Sequence, residues 1–503
     1  MKLKKAVLLP AFLMLATSCG GTSGETPVVD GDFFIKEATT IQLSTTAGKS
    51  NLQVINRYIE DFKKIEPNIT VTIQQIQSDY SGLASNIIDG FAVNNYPDMA
   101  MVYPDAVADF IDYGKAYDLE PYMYNEEYGW TDEEIKNIVP EFLEEGKKYT
   151  VNGTYSLPFS KSTEVVYYNK DAIENLVLEG DGNGNYQFNN GNPITIEVLN
   201  NLTWESFWGE LCPAIMYYVE NNPNGATLLD TSGDDYAVLG YDSDANFFIT
   251  LAEQYGYDYT AIENGIGKAL FVNDGMKALM KDLSTYASKH YVLTQKSTGK
   301  RANDFFKVNQ CLFSVGSTAG AQYQIDSSNP MNVGVMKLPR AEKGEEKVIL
   351  QGPSMAFLSH PGSDGRIDEN RKLASWLFYK FMITGDAENG YNSSKWAFQT
   401  NYLPVLQSTY ETEDYKMIYD ESQYQDKKTL DVLCCRIATL CTELTNSYYT
   451  SPAFKGSSGC RDEVDNLLGK VVAYGTDNGK TIPDSDLNAY FQTAFDNAAK
   501  EIG

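Results

Sequence analysis

The sequence predicts an α/β fold built on a parallel sheet with helices on both faces. Three observations carry this. Between about Ala38 and Val102, strand-like and helix-like stretches alternate in the order βαβαβ, which implies parallel strands joined by crossover helices. The chain has 503 residues, 43% apolar and 13% aromatic, which suits two or three globular units with full cores. A polar loop, Ser160-Lys161-Ser162-Thr163, is pinned between Leu157-Pro158-Phe159 and the run Val165-Val166-Tyr167-Tyr168. That run reads as a buried strand, and the loop suits a chain passing between two lobes.

Taken in order, residues 1–18 read as a signal peptide. Lys2, Lys4 and Lys5 form a basic start, and Ala6–Ala16 is an apolar stretch of eleven residues, too short to span a bilayer. Leu15-Ala16-Thr17-Ser18-Cys19-Gly20 looks like a bacterial lipobox with its leucine one place early, so Cys19 is the expected lipidation site. Plain secretion is the alternative. Residues 19–36, rich in Gly, Ser and Thr, are expected to be a flexible tether. The formal charge of −28 disfavours nucleic acid and anionic lipid surfaces as partners.

The first strand is Ile41-Gln42-Leu43. A helix capped at Ser50 follows, with Leu52, Ile55, Ile59, Phe62 and Ile65 on one face, and Pro67 stops it. Ile69, Val71 and Ile73 alternate as the next strand. Asp79-Tyr80 opens a second helix, and Met99–Val102 is the third strand. Ligands of such sheets sit beyond the carboxyl ends of the strands, which here carry Ser44–Ser50, Asp79-Tyr80 and Tyr103-Pro104-Asp105.

Further on, Asp181, Asn183 and Asn185 in the insertion 180–192 mimic a calcium loop. Tyr186 occupies the place of the glycine such loops need and Asn192 that of the terminal Glu, so a surface hairpin is the preferred reading. The acidic stretch 230–244 reads as solvated, with a binding loop as the alternative. Phe313–Gly320 reads as a strand that breaks into a small-residue turn, and Gly334–Pro339 and Gln351–Phe357 are two further strand signals. Lys395–Val405 sets Trp396 and Tyr402 beside a polar loop. Helices follow, with Leu433, Ile437, Leu440 and Leu444 on one face and Leu487, Phe491, Phe495 and Ile502 on another. Six cysteines besides Cys19 are expected to be buried free thiols, with Cys460 paired to Cys435 or Cys441 as the alternative.

The ordered motifs, namely the lipobox, Tyr96-Pro97-Asp98, Leu157-Pro158-Phe159-Ser160 with Tyr167-Tyr168-Asn169-Lys170-Asp171, Thr203-Trp204, Val315-Gly316-Ser317-Thr318, Gly334–Pro339, Gly352-Pro353-Ser354 and Tyr402–Val405, resemble those of a known family. It is the extracellular solute-binding lipoproteins of sugar-type ABC transporters, of the maltose and glycerol-3-phosphate kind. The resemblance implies a two-lobed periplasmic-binding-protein-like fold with discontinuous lobes joined by crossover strands. Crossings are expected near Leu157–Phe159, Leu312–Ser314 and Leu358–Ser359, with one lobe formed by 37–157 and 314–358 and the other by 158–313 and 359–503.

By position the resemblance also implies a ligand site of Tyr80, Asp105, Ser160, Ser162, Thr163, Ser317, Gly352, Trp396 and Tyr402. Rings would stack on a sugar face while hydroxyls and a carboxylate meet its hydroxyls. Trp396 has a core aromatic as its alternative, and Asp105 a helix cap. Lys161 would meet a phosphate or point to solvent. The implied function is capture of a mono- or oligosaccharide for an ABC permease, by a monomer held to the membrane through its N-terminal lipid alone, on the outer face of the cytoplasmic membrane. Binding of glycerol-3-phosphate or a glycerophosphodiester is the alternative, and a surface glycoside hydrolase the rival of another class. The two histidines, His290 and His360, stand in no catalytic or metal-ligand pattern, and no cofactor or metal is expected.

Overall fold

The computed structural model describes residues 28–29, 31–328, 330–385 and 390–503. The signal peptide, Cys19 and most of the expected tether lie outside them. The chain lays down β1 (Thr39–Thr45), β2 (Ile69–Gln75), β3 (Met99–Val102) and β4 (Ser156–Pro158). It then crosses into β5 (Ser162–Asn169), β6 (Ala237–Tyr241), a hairpin of β7 (Thr260–Glu263) and β8 (Ile266–Ala269), and β9 (Val292–Thr294). β10 (Cys311–Ser317), β11 (Val333–Met336) and β12 (Val348–Gln351) follow. β13 (Ser354–Phe357) returns to the first group, and β14 (Tyr448–Tyr449) belongs to the second.

The first sheet runs β2-β1-β3-β13-β4. β1 pairs in parallel with β2 and β3, and β13 is antiparallel to both β3 and β4. The expected βαβαβ unit is therefore present. All four residues of β3 are buried, as an apolar run covered on both faces requires. Helix Lys49–Ile65 buries Ile55, Tyr58 and Phe62, and its terminal Lys63 and Lys64 suit the negative end of the helix dipole. Two details differ from expectation: the helix is capped at Gly48, ahead of Ser50, and Ile65 is exposed. Asp79 does cap its helix, accepting from the Gly82 amide at 2.8 Å.

The second sheet runs β14-β12-β5-β10-β6-β9, with β11 also on β5. β10, β11 and β12 all pair antiparallel to β5, and β6 is parallel to β10 and β9. This corrects the expected lobe boundaries. Residues 314–351 belong to the second sheet, because β5 offers them its edges. Conversely, helices Glu369–Thr384 and Asn392–Thr400 bury Trp376, Phe378, Tyr379 and Trp396 in one core with Ile41, Leu43 and Phe357 of the first sheet.

The chain passes between the sheets at 159–161 and 352–353, and again near 402–406. The first crossing matches expectation. Leu312–Ser314, expected as a crossing, is instead the middle of β10, and Leu358–Ser359 lies beyond β13 inside the first unit. The Leu403 amide donates to the Lys161 carbonyl at 2.7 Å and the Val139 amide to the Val405 carbonyl at 2.9 Å, fastening the third passage. Gly352 has φ +83°, and a Cβ there would come within 2.0 Å of the Ser160 carbonyl oxygen, so close approach of two crossings demands glycine.

Lys161 meets neither phosphate nor solvent. It is fully buried, and its Nζ donates to Glu145 Oε2 at 2.6 Å, to the Gly352 carbonyl at 2.9 Å and to Ser354 Oγ at 3.3 Å. The end of the expected tether is also pinned, since Asn68 Nδ2 donates to the Val29 and Ile35 carbonyls at 3.0 Å each. Among the described residues no helix is long and apolar enough to cross a membrane. The six described cysteines are free thiols, five buried and Cys434 partly so.

Candidate functional site

Between the sheets lies a cleft of two chambers, of about 450 and 560 Å³, that share Tyr103, Gln351 and Arg461. The first sheet supplies the ends foreseen for a parallel unit: Gly48, Ser50 and Asn51 after β1, Tyr80 after β2, and Tyr103 and Asp105 after β3. The second unit supplies Glu164 from β5, Asp242 after β6, Asn246, Ser317 at the end of β10, Gln351 and Arg461.

The smaller chamber has apolar walls in Ala84, Ile88, Ile249, Ile349 and Leu350, with Asp105 and Asp109 on one side. Asp105 accepts from Ser457 Oγ at 2.5 Å. It sits in the first turn of helix Pro104–Asp112, whose cap is Tyr103, so it is not the cap. Asp109, one turn on, is pushed up to about 6 by burial and by the Asp105 and Asp112 carboxylates. The Tyr80 ring meets Tyr103 edge-on at 5.0 Å, and its hydroxyl is hydrogen-bonded to that of Tyr402.

The larger chamber is polar. Glu164, 1% exposed, accepts from the Tyr241 hydroxyl at 2.6 Å, from Asn246 Nδ2 at 2.7 Å and from Gln351 Nε2 at 3.0 Å. Burial nevertheless pushes its carboxyl up to about 7, against the pull of these donors. Arg461 donates to Asn246 Oδ1 and lies in the field of Asp105 and Glu164. Asp242 Oδ1 accepts from the Ala302 amide at 2.7 Å. The part of 230–244 read as solvated thus ends in a cleft residue, and Asp244 is buried.

Of the expected site residues, the structure brings Tyr80, Asp105, Ser317 and Tyr402 to the cleft. Ser317 Oγ also accepts from the Ala319 amide at 3.3 Å. Ser160, Ser162, Thr163, Gly352 and Trp396 do not line it. Ser160, Ser162 and Thr163 are buried at the crossing and in β5, where Thr163 Oγ1 donates to the Ile349 carbonyl at 2.8 Å. Gly352 serves the crossing through its backbone. Trp396 is 1% exposed and packs on Phe159 with ring centroids 4.7 Å apart; the Tyr402 ring lies parallel to it with centroids 6.2 Å apart. Tyr402 reaches the cleft and Trp396 stands behind it.

Glu164 had a signal in the sequence, as a carboxylate set directly against the run Val165–Tyr168 that reads as a buried strand. Arg461 and Asn246, and Asn303 and Gln324 which also line the larger chamber, had none, since each comes from an element whose partner is set only by folding. The loop at 180–192 closes on itself: Asp181 accepts from the Asn183 and Asn185 amides at 2.8 and 3.1 Å, as a surface turn does. No cluster of potential metal ligands occurs among the described residues.

The profile of the bacterial extracellular solute-binding protein family matches residues 57–420, more than half of the chain. No curated protein matches. Among solved structures, the cyclic α-maltosyl-1,6-maltose binding protein from Arthrobacter globiformis is similar with TM-score 0.61 and 14% identity, covering 92% of this chain and 99% of its own. UgpB from Mycobacterium tuberculosis, in complex with glycerophosphocholine, has TM-score 0.60 and 15% identity, covering 90% and 99%. The maltose/maltodextrin-binding domain MalE from Bdellovibrio bacteriovorus, bound to maltotriose, has TM-score 0.58 and 14% identity, covering 92% and 100%. With two sheets bridged by the passages at 159–161, 352–353 and 402–406 around a walled cleft, and with the family's profile spanning both, this chain belongs to the bacterial extracellular solute-binding proteins.

Proposed function

We propose that the protein is the ligand-capturing component of an ABC importer and that it takes a neutral carbohydrate, mono- or oligosaccharide, unchanged into the cleft. The observation that carries this reading is the cleft's lining: tyrosine rings at 80, 103, 259 and 402 beside a hydrogen-bonding wall of Glu164, Asp242, Asn246 and Gln351. Rings of this kind suit the apolar face of a pyranose, and the polar wall suits its hydroxyls. The cleft's charge opposes an anion. Asp105, Asp109, Asp462 and Asp242 outnumber Arg301 and Arg461. The similar proteins that bind maltotriose, a cyclic maltosyl-maltose or glycerophosphocholine mark out the ligand classes to compare.

Capture works by closure of the lobes about the passages at 159–161, 352–353 and 402–406. Delivery to the permease follows from a position at the cell envelope, with the lipid on Cys19 as the anchor. A thermal-shift panel of sugars, polyols and glycerophosphocholine tests the reading. A sugar at 100 times its dissociation constant stabilises the protein by about 2.7 kcal/mol. A shift with glycerophosphocholine, an amino acid or a peptide, and none with any sugar, refutes it.

A further inference from the structure

The larger chamber holds two hydrogen-bond acceptors that folding leaves unused. Asn303, in helix Ala302–Phe306, is 4% exposed, and Gln324, ending the turn Thr318–Gln324, is 2% exposed. Both line the chamber, yet Asn303 Oδ1 and Gln324 Oε1 have no hydrogen-bond partner among the described residues. Buried carbonyl oxygens are almost always paired, because an unmade bond costs the desolvation of the group. The Asn303 amide is held in its orientation: Nδ2 donates to the Tyr323 carbonyl at 2.9 Å, while the neighbouring Ala302 amide is tied to Asp242. Its oxygen is thereby held as a fixed, unpaired acceptor on a residue that lines the chamber.

We propose that Asn303 and Gln324 are specificity-determining residues which accept hydrogen bonds from a hydroxyl-rich group of the ligand and so reject a phosphate or carboxylate there. A ligand O–H satisfies either oxygen. At Asn303, whose amide is held, an ester or phosphate oxygen would set acceptor against acceptor and leave both unpaired, which is the stronger form of discrimination. Two guanidiniums line this chamber: Arg461 is already committed to Asn246 and stands in the field of Asp105 and Glu164, and Arg301 acts on the Asp242 carboxylate. This inference rests on the carbohydrate reading of the cleft and adds to it which end of the cleft reads hydroxyls, and through which atoms.

The test compares wild type with Gln324→Met, which keeps length and packing but has no carbonyl, and with Asn303→Leu. Each full chain is titrated calorimetrically with glucose, maltose, maltotriose, cellobiose and glycerophosphocholine, and its unliganded melting temperature is recorded. The sugar that binds wild type most tightly is expected to bind Gln324→Met about tenfold more weakly. The unliganded melting temperature of Gln324→Met is expected to be unchanged or higher, since an unpaired buried oxygen is gone. Sugar affinity within twofold of wild type in both variants overturns the inference and leaves the carbohydrate reading standing. A lowered unliganded melting temperature for Gln324→Met also overturns it, because the oxygen then serves the fold. Binding of glycerophosphocholine, or of no sugar, by wild type overturns both.

Discussion

Replacing Lys161 with Met tests how the passages between the lobes are held. The ammonium is fully buried and its Nζ joins Glu145, the Gly352 carbonyl of the second passage and Ser354, while its own carbonyl takes the Leu403 amide of the third. Lys161→Met leaves the Glu145 carboxylate, 4% exposed, with only the Ser354 hydroxyl at 2.6 Å among the described residues. Stranding one member of a buried pair costs about 3–5 kcal/mol. At about 2–4 °C per kcal/mol for folding units of a few hundred residues, the melting temperature should fall by roughly 6–20 °C. Burial also pushes the Lys161 pKa down, outweighing the Glu145 charge and hydrogen bond that act the other way. The charged pair is therefore costly to bury in itself. The double variant Lys161→Met with Glu145→Leu should recover most of the loss, as apolar replacements of buried pairs commonly do. Differential scanning calorimetry of the wild type, the two single variants and the double variant forms the cycle. A single variant that melts with wild type, or a double variant as unstable as Lys161→Met, refutes the reasoning.

Trp396→Ala should cost about 3–5 kcal/mol of stability in a denaturant melt, as large-to-small core changes do, with the folded fraction binding as before. An unchanged midpoint with weakened binding would return Trp396 to the ligand site. Glu164, whose carboxyl is pushed up to about 7, holds its proton in the folded state where the unfolded chain has lost it. Its contribution is therefore full below the ordinary carboxylate range and fades as pH rises through about 7. Glu164→Gln should accordingly flatten part of the fall in melting temperature between pH 5 and pH 8 (about the span of the shift); an identical pH profile would contradict the assignment. Cys19→Ala should release the folded protein to the medium, and retention in the membrane fraction would mean another anchor.

Local patterning alone was enough for the βαβαβ unit. The alternation in β1 and β2, the apolar run of β3 and the cap at Asp79 are short-range facts, as is the first passage after Leu157-Pro158-Phe159. The carboxyl ends of those strands then bring Tyr80 and Asp105 to the cleft, because the right-handed parallel connection admits one arrangement. Lobe membership after Ser314 was beyond such reasoning. Whether β10–β12 join the first or the second sheet depends on which edges of β5 are open, and every strand of that composition fits either sheet. The same holds for aromatic side chains. Trp396 and Tyr402 are six residues apart in similar surroundings, yet one faces Phe159 and the other the cleft. Arg461, Asn303 and Gln324 come to the cleft from elements far apart in sequence, and their meeting is a product of tertiary packing. Hydrophobic periodicity records which face of an element avoids water, but not what that face, or its polar opposite, will meet.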